Sequence, residues 1–320
     1  MLGIEETHDE VMVLCTARHH GRGAQRLPDR EHRGRVIAAV QVETDEQARE
    51  VLAALDAEGR RFYLDVERKQ DINLAAVAAE VVRRGSIVPI KPNDITVDAT
   101  VAWLTSRLGS DLTDRVVAVV GTGNLGFKVV LRLTEIGCRV HWSGRNLDKV
   151  EQLAAAINQV LPRFTPHRIR TELPDRAAAL VSAVTAEHIV GPEWIARLEP
   201  GALCLDVGIN NFAPEFIRAA VSSGCECARM DVRAATSIPD GPSDFFSRIS
   251  GRTRGKVNVV AGGLIGELGE VVVDQIHLPN RVVGVANGTG GLVDPSAWSD
   301  QMVNDVAYVQ AGIDRDRGPR

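Results

Sequence analysis

Three glycines, Gly121, Gly123 and Gly126, stand in the spacing G-x-G-x-x-G within "VVAVVGTGNLGFKVV". That spacing suits the capture of a diphosphate. The first glycine turns the chain tightly, the second lets the backbone approach a phosphate, and the third lets a helix pack on the preceding strand. Thr122, Asn124 and Leu125 fill the turn, and the phosphates would rest on the N–H groups that open the following helix. One strand later, in "CRVHWSGRN", Ser143 and Arg145 stand where an NAD-binding unit carries a carboxylate for the ribose hydroxyls. A hydroxyl and a guanidinium suit a ribose 2′-phosphate instead, with Asn146 and Lys149 as neighbours, so the expected cofactor is NADP.

A second set of residues has the chemistry for proton transfer. "DVERKQD" (Asp65 to Asp71) and "IKPNDITVDAT" (Lys91 to Thr100) place lysines beside carboxylates after a strand. Such a lysine polarises a carbonyl or imine and moves its proton. Lys69, Lys91 and Asp94 are therefore the catalytic candidates and Asn93 a substrate contact; Lys69 precedes the helix expected in "DINLAAVAAEVVRRG", and the other three stand just before a helix expected to begin near Thr96. Asp94 also suits the cap of that helix. Val207, Gly208 and Asn210 end the buried strand of "GALCLDVGINNFAP", where a nicotinamide and its substrate belong, and Asp206 reads as a structural carboxylate. Ala183, Val184 and Thr185 end another apolar strand, on the adenosine side of the cofactor. Asn287, in "VANGTGGLVD", is a further substrate contact, and Gly262, Gly263 and Gly266 allow close backbone approach. His19 and His20 read as a polar loop, and His141 as structural. No His/Cys/Asp cluster has metal spacing and no G-x-S-x-G element occurs, so no metal is expected.

These residues need a scaffold of strands with ligand groups at their carboxyl ends. The first hundred residues alternate strand and helix patterns: "VMVLCTA", "GRVIAAVQVE", "RRFYLDVERK" and "SIVPIKP" read as strands, "DEQAREVLAALDAEG" and "DINLAAVAAEVVRRG" as helices. That alternation builds a parallel sheet with crossover helices. A second series starts at "DRVVAVVG" and runs to "CECARMDV". A loop-rich stretch, a glycine-rich crossing and a final helix in "PSAWSDQMVNDVAYVQAGI" follow. The expected fold is α/β with two lobes and a cleft between them. Residues 1–109 form a parallel α/β substrate lobe, 110–285 a Rossmann NADP-binding lobe, and 286–320 a C-terminal helix returning to the first lobe.

Composition narrows the class. A chain of 320 residues exceeds one typical core. A net charge of −5 argues against a nucleic-acid or anionic-membrane partner. No apolar run approaches the roughly 20 residues of a membrane span, and the acidic start "MLGIEETHDE" is no signal peptide. Of the five cysteines, Cys225 and Cys227 are read as alternating between strand faces, which suits neither a disulfide nor paired zinc ligands. All five are expected as thiols in a cytoplasmic protein.

Several segments resemble known families. "GRNLDKVEQLAAAIN" after "GTGNLG" is similar to NADP-dependent methylene-tetrahydromethanopterin dehydrogenases, and "GALCLDVGINNF" resembles a segment of methylene-tetrahydrofolate dehydrogenase/cyclohydrolase. "VSAVTA", "CARMDVRAA", "IGELGEVV" and "NGTGGLVD" resemble the ornithine cyclodeaminase/μ-crystallin family, and shikimate dehydrogenases share the layout. The resemblance spans about residues 87–313 and implies the amino-acid-dehydrogenase-like Rossmann group. Lys69 matches the placement of the shikimate dehydrogenases' catalytic lysine, and Lys91, Asn93 and Asp94 that of substrate-binding residues. The implied function is hydride transfer to or from a small polar substrate: an amino-acid-derived imine or oxo acid, or a methylene-tetrahydropterin. The alternatives are a cyclodeaminase-type lyase with bound nicotinamide and a non-catalytic NADPH-binding protein. A homodimer is the habit of these families.

Overall fold

Every residue of β1 (Glu10–Cys15) is buried, as a strand covered on both faces requires. Around it the first sheet assembles from β2 (Gln25–His32), β3 (Arg35–Val42), β4 (Arg61–Asp65) and β5 (Ser86–Ile90), in the order β2-β3-β1-β4-β5. β3, β1, β4 and β5 run parallel. The expected parallel sheet therefore gains an antiparallel rim, because β2 pairs with β3 as a hairpin. Crossovers are made by α1 (Asp45–Leu55) and α2 (Leu74–Val81), which pack on each other and close a core that includes Val11, Val13, Leu52, Phe62, Leu64 and Val77. The structure, a computed structural model, describes residues 4, 8–15, 21, 23–32, 35–68, 71–230, 257–259, 267–274 and 281–316.

Local chemistry sets the helix ends. Thr44 caps α1 by accepting the N–H of Gln47, and Asn73 caps α2 by accepting that of Ala76. Buried Asp56, just after α1, accepts the N–H groups of Arg83, Arg84 and Gly85. Burial alone would raise its carboxyl, but those donors and the Arg84 guanidinium outweigh it and hold Asp56 below the ordinary range.

The chain divides into two compact units, Met1–Ile95 and Thr96–Arg320, with the boundary inside α3 (Pro92–Leu108). α3 begins earlier than the sequence suggests: the Lys91 carbonyl accepts the Ile95 N–H at 3.1 Å, so Pro92 takes the first helical position, where its missing N–H costs nothing. Asn93 and Asp94 thus lie in the first turn of the helix and not ahead of it, and Asp94 is not its cap.

The second unit carries β6 (Val116–Val120), β7 (Arg139–Ser143), β8 (Ala177–Ser182), β9 (Leu198–Asp206) and β10 (Glu226–Arg229), all parallel, in the order β10-β9-β8-β6-β7. Outside β7 a single parallel bridge joins His141 to Arg170. Counting that bridge as a vestigial strand, the order is 3-2-1-4-5-6, that of the dinucleotide-binding sheet. α4 (Asn124–Glu135), α5 (Leu147–Val160) and α6 (Pro214–Ser222) connect the strands. A three-stranded sheet of β11 (Val257–Val259), β12 (Val271–Asp274) and β13 (Arg281–Val285) stands where only a glycine-rich crossing was expected, and α7 (Asp300–Asp316), of the same unit, packs on β13 and β12. Among the described residues no helix is long and apolar enough to cross a membrane.

The cysteines are all buried free thiols. The expectation that Cys225 and Cys227 alternate faces is corrected: residues two apart on a strand share a face, and both pack with Cys204 in one core cluster. Hydrogen bonding to those two thiols, then burial, pushes the Cys204 thiol well above its ordinary range.

Candidate dinucleotide-binding site

The β6–α4 turn lies at the carboxyl end of the sheet's first strand, beside the point where the strand order reverses. Its three glycines are glycines for three different reasons. Gly121 has φ +124°, and a Cβ there would strike the Ala183 carbonyl and, at 2.8 Å, Val184 Cγ1. A Cβ on Gly126 would strike the Gly121 carbonyl. Both are demanded by the fold itself. Gly123 is different: its φ is −79°, which any residue adopts, and a Cβ there would meet nothing within 4 Å. Neither strain nor packing within the protein explains that glycine, whereas a phosphate seated against the backbone does.

The polar groups of the turn agree. Gly123 is the N-cap of α4 and offers no side chain to cap it. The N–H groups of Thr122, Gly123, Leu125 and Gly126 find no acceptor among the described residues, and the first helical bond is made by Phe127 to the Gly123 carbonyl at 2.9 Å. Unspent donors at the positive end of a helix dipole form an anion site. The turn is held from below by bonds from the Gly121 N–H to the Ser143 carbonyl at 2.8 Å and from the buried Trp142 indole N–H to the Gly121 carbonyl at 2.7 Å.

At the end of β7, a Cβ on Gly144 would lie 2.9 Å from Thr122 Cγ2, so the β7–α5 turn rests directly on the glycine turn. Arg145, the next residue, is exposed and makes no hydrogen bond or ion pair among the described residues. Ser143 is partly buried and donates to the Val119 carbonyl at 3.4 Å. Asn146 caps α5 by accepting the Lys149 N–H at 3.0 Å, a structural duty for that oxygen.

The ends of β8 and β9 form the other wall. Ala183 and Val207 are buried, Val184 is partly buried and Thr185 is exposed. Gly208 approaches so closely that a Cβ would strike the Val184 carbonyl and Asn211 Oδ1. Asp206 is fully buried and accepts the N–H groups of Gly208, Ile209 and Asn211 at 3.1, 2.9 and 2.9 Å, the structural role read from its sequence context. Burial pushes its carboxyl above the ordinary range, against the pull of those donors and of the Arg229 charge. Sequence reasoning missed Asn211. Its buried side chain accepts from Ser182 Oγ and the Val184 N–H, and donates to the carbonyls of Val184, Ala186 and Ile209. This clamp holds Ile209 and Asn210 left-handed, at φ 72° and 58°. A β-branched residue in that region is an outlier, and such strain gathers at functional sites. Asn210 Oδ1 is buried without a hydrogen-bond partner among the described residues.

The remaining candidates fall elsewhere. Lys91 and Asp94 form an exposed ion pair at 3.8 Å, and the Asn93 N–H donates to Glu67 Oε2 at 2.8 Å, so the structure brings these three together within the first unit and adds Glu67. Asn287 Oδ1 is taken up by its own loop, accepting from the N–H groups of Thr289 and Gly291 and from Thr289 Oγ1, each at 2.9 Å. The Arg229 guanidinium reaches that loop through the Gly290 carbonyl at 2.8 Å. Lys69, His19, His20, Gly262, Gly263 and Gly266 lie outside the described residues. Among the described residues no group of three or more His, Cys, Asp or Glu could hold a metal ion.

No protein-family model matches the chain. No curated protein matches it either. Solved structures do. It is similar to L-tryptophan dehydrogenase from Nostoc punctiforme (19% identity over 63% of this chain and 59% of that one, TM-score 0.39). It is similar also to a dipicolinate synthase chain from Bacillus halodurans (16% identity, 59% and 62%, TM-score 0.34). A third is the hetero-hexameric glutamate dehydrogenase from Thermus thermophilus (18% identity, 63% and 57%, TM-score 0.39). The chain thus spans about three fifths of the length of each, 59%, 62% and 57%.

Proposed function

We propose that the chain is an NADP-dependent oxidoreductase that moves a hydride to or from a small polar molecule, an amino-acid-derived imine or oxo acid or a methylene-tetrahydropterin. One observation carries the reading: a turn with unspent N–H donors and a glycine that neither strain nor packing requires, beside a guanidinium with no partner among the described residues. In this reading the N–H groups of Thr122, Gly123, Leu125 and Gly126 take the diphosphate. Arg145 takes the ribose 2′-phosphate, in place of the carboxylate that would repel it. Ala183 to Thr185 border the adenosine side, and Val207, Gly208 and Asn210 border the nicotinamide. When bound, the nicotinamide supplies the hydride or accepts it.

The proposal assigns 110–285 to cofactor binding and places the substrate chemistry on the first unit, where the Lys91–Asp94 pair has the groups to move a proton. Lys69 is proposed for the same role, Asn93 and Asn287 for substrate contact, and the assembly is proposed to be a homodimer. Calorimetric titration with NADPH and NADH tests the core of the reading. NADPH binds more tightly than NADH, and Arg145→Asp reverses the order. Absence of heat with both coenzymes overturns the reading, and an unchanged preference in Arg145→Asp overturns the NADP assignment. Metabolites are then screened for a change in reduced-nicotinamide absorbance. A net change marks a reductase, whereas release of ammonia without one marks a cyclodeaminase-type lyase.

A further inference from the structure

We propose that Trp142 is a positioning residue for the cofactor diphosphate, acting through the peptide that joins Gly121 to Thr122. This inference rests on the dinucleotide-binding reading above and goes beyond it, to a side chain that need not touch the ligand. Trp142 sits on β7, fully buried, and its indole N–H donates to the Gly121 carbonyl at 2.7 Å. Phe127, one turn into α4, packs edge-on against the indole with the ring centres 6.1 Å apart. One side chain therefore joins the second strand, the glycine turn and the start of the helix.

The consequence follows from peptide geometry. A trans peptide is planar, so its carbonyl and its N–H point in opposite directions. The Gly121 carbonyl is aimed inward, at the indole, so the Thr122 N–H of the same peptide is aimed the opposite way. That N–H has no acceptor among the described residues. With φ +124° at Gly121, a conformation glycine leaves for others easily, this peptide needs an external constraint. The indole bond supplies it, at a carbonyl that would otherwise lie buried and unsatisfied. Trp142 thus sets the direction of the first anion-facing donor, and the free protein already holds that donor in place.

Trp142→Phe keeps a buried aromatic ring and deletes the N–H. The readout must separate positioning from general loosening, so three ligands are titrated into wild type and variant: NADPH, ADP-ribose and 2′-AMP. The first two carry the diphosphate, whereas 2′-AMP carries only the phosphate assigned to Arg145. The expected result is a loss of about tenfold for NADPH and ADP-ribose, the scale of one hydrogen bond lost to a charged group. Binding of 2′-AMP is expected to be unchanged. Equal affinity of the variant for NADPH overturns the proposal, and so does a parallel loss for all three ligands, which marks a structural role only. If wild type binds none of them, the dinucleotide reading fails and this inference with it. Should Trp142→Phe not fold, the benzothienyl analogue of tryptophan, placed at position 142 alone, keeps the ring shape without the donor and gives the same comparison.

Discussion

Alanine at Gly123 and alanine at Gly121 should fail in opposite ways. At Gly121 the new methyl enters a position already held by the Ala183 carbonyl, on a backbone with φ +124°. Strain of about 1–3 kcal/mol and crowding of similar size put the loss of stability at about 2–6 kcal/mol. At Gly123 the methyl meets nothing within 4 Å and φ is ordinary. A slightly poorer N-cap and a less flexible unfolded chain nearly cancel there, so stability changes by less than about 1 kcal/mol. The same methyl occupies the space assigned to a phosphate, so NADPH affinity falls more than about tenfold, above about 1.4 kcal/mol. Urea denaturation of the ligand-free proteins and calorimetric titration with NADPH measure the two effects. A Gly123→Ala protein that binds NADPH like wild type refutes the claim that this glycine exists for a ligand. One that unfolds without ligand shows that packing had required it.

Three further outcomes are expected. Asn211→Ala strands buried donors and acceptors at the ends of β8 and β9, and denaturation should register a loss of about 2–4 kcal/mol; a loss below about 1 kcal/mol would show that the clamp is redundant. Ile209→Gly relieves a left-handed β-branched residue, so stability should rise by about 0.5–1 kcal/mol, and a clear decrease would mean the side chain packs better than its exposure suggests. Asp56 has a carboxyl held below its ordinary range, so its stabilisation is present above the unfolded-state value near 3.8 and is lost as pH falls through the lower folded value. Asp56→Asn should therefore flatten the acid limb of a stability–pH profile, and an unaltered limb would remove the carboxylate from the account.

The glycine turn was legible because each of its constraints is local: a tight turn, a helix start and a strand before it can all be read from one short segment. The parallel strands of both sheets were legible from their apolar runs for the same reason, whereas the antiparallel β2, "QRLPDREH", has no such run and was not. The start of α3 was missed although the signal was present, since proline at Pro92 is at home in a first helical turn. The faces of Cys225 and Cys227 were misassigned by a wrong period, not by missing information. Trp142 and Asn211 were out of reach for a different reason. Their partners lie 21 residues away, at Gly121, and up to 29 residues away, at Ser182. Nothing in a one-dimensional pattern tells a buried tryptophan that holds a turn from one that fills a core. The β11–β12–β13 sheet was obscured by glycines that suggested a crossing more strongly than its short valine runs suggested strands.

The two rims of the first sheet have a consequence for assembly. β2 carries Pro28 and β5 carries Pro89, and proline presents no N–H to a neighbouring backbone. A foreign strand laid along either margin would meet an interrupted ladder, which is how natural sheets are kept from polymerising edge to edge. For copies of this chain, each of those margins is a poor template for extending the hydrogen-bonded ribbon of the first unit.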